Sequence, residues 1–238
     1  MSIDSHPVAD LPRLHPDLLL EVRRPTSYVG MRSYIGRMEA PTVTFRSRSV
    51  WFESRNELTH LRDLVLCGPA TAMATQPMRV TWALSDGSRH HYPDALVDLD
   101  GGPRTLIDVT TRHKLADTGA LAVFALTAAT AAAAGWHYQL RTELPQQRVA
   151  NLDALRRHRL SPPETALAAD VLGDLRFPAQ AHTVVQRLGG LPAGLTRLYQ
   201  LIAARALFVD LDQPLEPDTS IHQQPQLAKG DPAWLVPL

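Results

Sequence analysis

The chain has 238 residues, of which 45% are apolar, which suits one large domain or a medium domain with a small one. A formal net charge of zero argues against a protein that holds DNA alone, and the single cysteine, Cys67, excludes a disulfide framework and favours a reducing cytoplasm. The first residues are polar and proline-containing, unlike a signal peptide, and the apolar run at 115–136 is mostly alanine and threonine, too weak for a membrane span. We therefore expect a cytoplasmic protein without a membrane segment.

The charges are unevenly distributed along the chain. Residues 1–160 carry 19 basic and 16 acidic groups, whereas residues 161–238 carry 5 basic and 8 acidic groups. DNA contacts require positive charge, because they neutralise phosphates. Any contact with DNA is therefore expected in the first part of the chain.

Hydrophobic periodicity predicts an irregular lead-in at residues 1–40 and an α/β core at residues 41–160. The core begins with a helix and continues with three strands, a helix, a strand and a closing helix. The predicted bounds are 49–66 for the first helix, 78–84, 90–99 and 104–111 for the strands, 115–134 for the alanine-rich helix, 136–144 for the last strand and 151–159 for the closing helix.

Residues 161–222 are predicted to form a small winged-helix-like domain, followed by a loose tail at 223–238. Its predicted helices are 164–175, 179–188 and 192–206, and its wing pairs 208–211 with 219–222. The last of these helices carries only Arg197 and Arg205 as cations, and the wing is acidic, so the module is expected to bind protein rather than DNA. Alternatively, its apolar side chains only pack its own core. The acidic wing residues are Asp210, Asp212, Glu216 and Asp218.

Two carboxylates are predicted to face each other on adjacent strands of the core. If the turn between strands 90–99 and 104–111 centres on Gly101, Asp94 lies opposite Asp108 and Leu96 lies opposite Leu106. Facing carboxylates repel, and a divalent cation resolves the conflict. The pair therefore predicts a Mg²⁺ or Mn²⁺ site that activates a water molecule to attack a phosphodiester.

A third carboxylate is expected from the preceding helix. Glu57 is the first choice and Glu53, one turn earlier, is the reserve. The backbone carbonyl of Val109 is a further candidate ligand. In this arrangement the ion would bind a phosphate oxygen and stabilise the charge that develops on the leaving group.

A purely structural interpretation of the same residues is also open. Asp94 then only begins a strand after Pro93, and Asp108 pairs with an arginine such as Arg79 or Arg89. The nearby histidines lack metal-binding spacing and are interpreted as surface residues or phosphate contacts. They are His90, His91 and His113.

Six short stretches occur in one order along the chain. They are Tyr34-Ile35-Gly36-Arg37, Glu53-Ser54-Arg55-Asn56-Glu57-Leu58, Gln76-Pro77-Met78-Arg79-Val80-Thr81-Trp82, His91-Tyr92-Pro93-Asp94, Leu106-Ile107-Asp108-Val109 and Gly135-Trp136. Together they resemble the TnsA-like endonuclease subunits of heteromeric transposases. The similarity runs from about residue 28 to residue 160, and more loosely to about residue 221.

This resemblance implies a restriction-endonuclease-like core of the PD-(D/E)xK superfamily followed by a C-terminal winged-helix domain. It implies a nuclease that cuts one strand at a transposon end, on the 5′ side, while a separate DDE transposase handles the other strand. It also implies that an ATPase regulator binds the C-terminal domain. The family's carboxylates correspond to Glu57, Asp94 and Asp108 in this sequence.

One position departs from the family pattern. Thr110 stands where the pattern has lysine or arginine, so the usual cation beside the attacking water is missing. Arg112 or Lys114 are the candidate substitutes, and Gln76 is a candidate supporting residue. Three functions follow: a nuclease subunit of a transposase, a non-catalytic adaptor between transposase and ATPase, or a stand-alone restriction-type enzyme.

Overall fold

The computed structural model describes residues 7–13, 34–39, 49–66, 70–99, 102–158, 171–225 and 235–236. The chain forms two compact units: residues 1–61, 68–143 and 233–238 make the first, and residues 62–67 and 144–232 make the second. Cys67, residues 159–170 and most of the predicted tail lie outside the described residues. Within the described ranges, each helix is too short or too polar to cross a membrane.

After a 3-10 helix (Val8–Arg13), the first unit continues with a two-stranded hairpin that leads into a helix, whose residues 62–66 belong to the second unit. Strand β1 (Gly36–Glu39) pairs antiparallel with β2 (Ser49–Phe52), and helix α1 (Arg55–Leu66) follows directly. The prediction of a continuous helix over 49–66 is therefore wrong for its first six residues, of which 49–52 form a strand and 53–54 a bend. The apolar pair Trp51 and Phe52 fits a helical spacing, but the two side chains lie on opposite faces of a strand.

A mixed five-stranded sheet forms the centre of the first unit. Its strands lie in the order β11 (Leu235–Val236), β8 (His137–Arg141), β7 (Thr105–Val109), β6 (Ala95–Leu99) and β3 (Ala70–Thr75). Only the β7–β8 pair is parallel within this sheet. Strands β4 (Val80–Leu84) and β5 (Gly87–His91) form a separate hairpin. The predicted α/β core is confirmed at this level.

The predicted strand at 90–99 is wrong as a single element, because it is broken at residues 92–94. Pro93 has no N–H to donate to a sheet ladder, which favours a break at that point. The predicted register of the next hairpin is confirmed, since Ala95 pairs with Ile107 and Leu96 pairs with Leu106. Asp94 and Asp108 are the next residues outward from the Ala95–Ile107 pair.

Helix α2 (Thr118–Ala133) is the crossover between the parallel strands β7 and β8. A 3-10 helix (Arg112–Ala116) precedes α2. The Asp117 carboxylate caps the N-terminus of α2 by accepting hydrogen bonds from the N–H groups of Gly119 and Ala120. Gly135, with φ +69°, follows the end of α2. One side of α2 packs with β6 and β7 in an apolar cluster of Leu11, Leu96, Leu106, Ala131, Ala134 and Trp136, against which Met78 and Tyr138 also pack.

The second unit is mostly helical. It contains α3 (Gln146–His158), β9 (Ala179–Gln180), α4 (Ala181–Arg187), α5 (Ala193–Ala203) and β10 (Ser220–Ile221). Helix α3 begins five residues before its predicted start at 151. The predicted wing differs in its pairing: β10 pairs with β9, and residues 208 and 222 form a single antiparallel bridge. The predicted helix at 164–175 lies largely outside the described residues.

Candidate carboxylate site

Three carboxylates from three elements approach one another in the first unit. Glu57 lies in the first turn of α1, Asp94 lies in the bend before β6, and Asp108 lies within β7. The β6–β7 register brings the last two together, and the Asp94 N–H lies 3.4 Å from Asp108 Oδ1. Asp94 and Asp108 are therefore neighbours, and the charge of Glu57 acts on Asp94.

Asp94 is held between a hydrogen-bond donor and several negative charges. Its Oδ2 accepts the Val109 N–H at 2.7 Å. Burial raises the pKa of the Asp94 carboxyl well above its ordinary value, and the charges of Glu57, Asp108 and Glu53 raise it further, while the Val109 hydrogen bond opposes this shift. The site therefore collects like charges that its own hydrogen bonds do not fully offset.

Asp108 is 1% exposed, and both of its carboxylate oxygens accept hydrogen bonds. Its Oδ1 lies 2.9 Å from His91 Nε2, and the Tyr138 hydroxyl donates to its Oδ2 at 2.7 Å. An ionised carboxylate has only lone pairs to offer, so His91 Nε2 would be the donor to an ionised Asp108. Burial and the neighbouring Asp108 charge raise the pKa of Tyr138, which keeps its hydroxyl protonated as a donor.

The interpretation of His91 as a surface residue or phosphate contact is therefore corrected. Its imidazole is partly buried, edge-on to Phe124 with ring centroids 6.2 Å apart, and turned toward Asp108. The alternative arginine partners for Asp108 are also not used. Arg89 pairs with Asp86 at 2.8 Å, and Arg79 is exposed.

The start of α1 gives Glu57 a local structural role as well. The Ser54 hydroxyl accepts the Glu57 N–H at 3.1 Å, and Glu57 Oε2 accepts the Glu53 N–H at 2.7 Å. These two hydrogen bonds satisfy backbone N–H groups at the helix start and hold the Glu57 carboxylate at the N-terminal end of the helix. Both Glu53 and Glu57 are close enough to Asp94 for their charges to act on it.

Asn56 connects this helix end to the sheet. Its Nδ2 donates to the Thr110 carbonyl at 2.7 Å, and the Thr110 N–H donates to the Arg141 carbonyl at 2.8 Å. Thr110 is 5% exposed, and within the described part of the chain its hydroxyl has no hydrogen-bond partner. Arg112 and Lys114 are exposed in the following 3-10 helix, and no described contact joins their side chains to Asp94 or Asp108.

Gln76 is a strained and buried neighbour of Asp94. Its φ of +46° is unfavourable for a residue other than glycine, and its N–H donates to the Asp94 carbonyl at 2.9 Å. The side chain is buried, and its Oε1 accepts no hydrogen bond from the described residues. A strained backbone together with an unmatched buried acceptor is typical of functional sites.

Among the residues that the structure describes, no group of three or more His, Cys, Asp or Glu side chains is arranged so that it could hold a metal ion. The donor chemistry nevertheless fits a hard divalent cation, because carboxylate oxygens are ligands that Mg²⁺ and Mn²⁺ prefer. A cation would also offset the repulsion that Asp94 experiences from its neighbours. The ligand roles of Glu57, Asp94, Asp108 and the Val109 carbonyl stay predictions.

The sequence reasoning missed two residues at this site. Asn56 was seen only as part of a motif, and Tyr138 was placed in a strand without any role. Tyr138 could be found only from the parallel pairing of β7 and β8. In this pairing Tyr138 lies beside Leu106, and Leu106 and Asp108 are two residues apart on the same face of β7. Neither the family models nor the curated proteins that were compared with this chain give a match.

Proposed function

We propose that the chain is the metal-dependent endonuclease subunit of a heteromeric transposase, and that it hydrolyses one DNA strand at transposon ends. The observation that carries the proposal is the approach of Asp94 to Asp108 at the edge of the β6–β7 pair, with the charge of Glu57 acting on Asp94. The order of elements supports it, because the helix that bears Glu57 precedes the bend that bears Asp94 and the strand that bears Asp108. The resemblance to TnsA-like subunits points to the same three residues.

The residues that would hold Mg²⁺ or Mn²⁺ are Glu57, Asp94 and Asp108, together with the Val109 carbonyl. Bound there, the ion would supply Lewis-acid stabilisation of phosphate charge and lower the pKa of a bound water. His91 and Tyr138 fix the two oxygens of Asp108, and the Val109 N–H fixes Asp94. These contacts orient the carboxylates before substrate arrives, which is what efficient catalysis requires.

Two buried polar groups are suited to position a water molecule. The Thr110 hydroxyl and the Gln76 side-chain carbonyl are both buried and without a hydrogen-bond partner in the described part of the chain. Threonine can hydrogen-bond to a water molecule but supplies no positive charge. We therefore propose that activity depends on a partner protein, or on movement of the exposed Arg112 or Lys114 toward the site.

The second unit is proposed to be the winged-helix domain that binds the ATPase regulator. The pairing of β9 with β10 and the bridge between residues 208 and 222 support this topology. Arg197, a cation of α5, donates to the Leu188 carbonyl at 2.8 Å, so it is already engaged within the unit. The segment after α5 exposes Asp210, Glu216 and Asp218, which repel DNA and favour a basic protein partner.

A strand-nicking assay tests the nuclease proposal. The protein is combined with its partner transposase and end-containing DNA in Mg²⁺, and wild type is compared with Asp94→Ala. We expect roughly a thousandfold loss of nicking in the variant, about 4 kcal/mol of transition-state stabilisation, with complex assembly retained. The matched control is Asp86→Ala, which removes an exposed aspartate paired with Arg89 and should nick at the wild-type rate.

A second candidate function is a non-catalytic adaptor that joins the transposase to the ATPase regulator. Thr110 favours it, since no lysine or arginine side chain is described in contact with Asp94 or Asp108. Equal nicking by wild type and Asp94→Ala would establish the adaptor and overturn the nuclease. Nicking of DNA without transposon ends and without partners would instead indicate a stand-alone restriction-type enzyme.

A further inference from the structure

We propose that the end of the β1–β2 hairpin nearest α1 is a DNA-phosphate clamp, in which Arg37 and Arg55 are held ready by aromatic rings. This inference rests on the proposed function, because it names the surface that would hold the DNA substrate of the carboxylate site. The guanidinium of Arg37 lies 4.8 Å from the ring centre of Trp51, and that of Arg55 lies 4.9 Å from the ring centre of Tyr34. Both arginines are exposed.

The hairpin register explains why these groups lie at the same end. Arg37 pairs with Trp51 directly across β1 and β2, so both side chains lie on one face of the hairpin. Gly36 pairs with Phe52 at the adjacent position, and a Cβ on Gly36 would lie 2.5 Å from Phe52 Cζ. The absent side chain leaves room for the Phe52 ring, whose centre lies 5.9 Å from that of Tyr34. Tyr34 is thereby supported beneath Arg55.

Arg37 and Arg55 differ from a third arginine of the first unit that also lies over an aromatic ring, because that arginine is paired with a carboxylate. Arg104 lies over Trp136 at 5.5 Å, but it also donates to both carboxylate oxygens of Asp98, at 2.7 and 3.2 Å. Within the described residues, neither Arg37 nor Arg55 has a carboxylate partner. Their charges are therefore open to an external anion.

The charge of this segment matches a polyanion. Residues 31–55 contain five arginines and two acidic residues, Glu39 and Glu53, in a chain whose net charge is zero. A guanidinium presents a rigid fork of donors that fits phosphate, and contact with an aromatic face restricts its motion before binding. Arg55 and Glu57 both lie in the first turn of α1, so Arg55 lies at the helix end that also carries one of the site's carboxylates.

The placement of Arg37 and Arg55 at the hairpin end suits contact with one strand of a DNA duplex. A phosphate backbone is a repeating row of anions, and it can engage cations on both faces of a narrow hairpin end. An anionic membrane surface is flat and would favour a broad patch of cations or an apolar helix face. The observations therefore favour DNA over a lipid surface.

Binding of a fluorescent duplex of about 30 base pairs in EDTA tests this clamp, because no cleavage occurs without metal. We expect Arg37→Ala/Arg55→Ala to bind on the order of tenfold more weakly at low salt. The slope of log affinity against log salt should fall by about 1 for each arginine removed. Arg37→Lys/Arg55→Lys should keep the salt slope but lose part of the affinity, since the planar fork is gone.

Two matched controls remove exposed arginines from other places. Arg89→Ala removes a charge already paired with Asp86, and Arg156→Ala removes a charge on α3 in the second unit. Both should bind DNA as wild type does. Circular dichroism and thermal melting of each variant exclude unfolding as the cause of any loss.

Two outcomes would overturn the clamp. One is equal DNA affinity and salt slope in wild type and Arg37→Ala/Arg55→Ala, and the other is arginine-dependent binding to phosphatidylserine vesicles without arginine-dependent binding to DNA. Because binding is measured without metal, loss of the clamp with nicking intact leaves the nuclease proposal standing. Arginine-dependent DNA binding without any nicking overturns the nuclease and leaves the clamp.

Discussion

Two buried aspartates, one in each unit, are stabilised in different ways. Asp63 in the second unit is 5% exposed and accepts hydrogen bonds from the Arg148 guanidinium. Its Oδ1 lies 2.8 Å from Arg148 Nη2. Asp108 in the first unit is 1% exposed and is held by His91 and Tyr138, with no arginine or lysine partner in the described chain. The first arrangement cancels charge, whereas the second leaves negative charge available.

The neighbours of each aspartate sharpen the contrast. Arg148 also donates to Asp212 at 3.0 Å, so a single cation serves two carboxylates. Asp108 instead lies beside Asp94, which experiences the charges of Glu57 and Glu53 as well. Repulsion among carboxylates costs free energy, so the charges of Glu57, Asp108 and Glu53 disfavour the ionised form of Asp94. The contrast separates an ion pair whose charges are matched from a group of carboxylates whose charges act on one another.

The largest stability effect is expected at the ion pair of the second unit. Arg148→Met leaves Asp63 buried without its cation and should lower the free energy of unfolding by about 3 kcal/mol. Urea unfolding of the second unit's signal, followed by circular dichroism, measures the change. The double variant Asp63→Asn/Arg148→Met is the control, and it should recover most of the loss. Equal stability of Arg148→Met and wild type would show that Asp63 does not need a counter-charge.

The opposite sign is expected at the carboxylate site. Asp94→Asn removes one of the repelling charges and keeps an oxygen for the Val109 N–H, so in metal-free buffer at pH 8 it should raise the free energy of unfolding by on the order of 1 kcal/mol. Asp98→Asn is the control, since Asp98 is paired with Arg104 and its neutralisation should destabilise. Destabilisation by Asp94→Asn would place Asp94 among the structural carboxylates.

The difference in stability between Asp94→Asn and wild type should depend on pH, because the pKa of Asp94 is raised in the folded state. The folded state holds the proton more tightly than the unfolded state, so wild type loses stability as pH rises from about the ordinary value of 3.8 through the folded pKa. Asp94→Asn lacks this loss. The melting temperature of the variant should therefore exceed that of wild type at pH 8, and the difference should shrink as the pH falls toward 4. A constant difference would show that the pKa of Asp94 is not raised by folding.

The part of the fold that could be predicted is the part fixed by local pattern. A turn centred on Gly101 predicted the β6–β7 register, including the pairing of Leu96 with Leu106. The strand at 49–52 could not be predicted, because Trp51 and Phe52 fit the helical period equally well. Its identity depends on pairing with residues 36–39, which is a non-local interaction.

The candidate site also contains residues that could be predicted from the sequence and residues that could not. Glu57, Asp94 and Asp108 could be selected from the sequence because their spacing follows the elements that carry them. The groups that hold them could not, since Tyr138 reaches Asp108 through the parallel β7–β8 register and Asn56 reaches Thr110 across 54 residues of sequence. His91 was visible but misinterpreted, because its direction depends on how the β4–β5 hairpin packs against α2.

The smallest effect is expected at an ion pair that is more open to water. Arg62 donates to Asp153 at 2.6 Å, and the Asp153 side chain is 46% exposed. Solvent screens such a pair, so Arg62→Ala should lower the free energy of unfolding by roughly 0.5 kcal/mol, far less than Arg148→Met. Urea unfolding in low and high salt measures this, and the difference from wild type should decrease at high salt. A loss as large as that of Arg148→Met would mean that burial of the carboxylate is not what makes Asp63 dependent on its arginine, and the contrast between the two buried aspartates would then lose its physical basis.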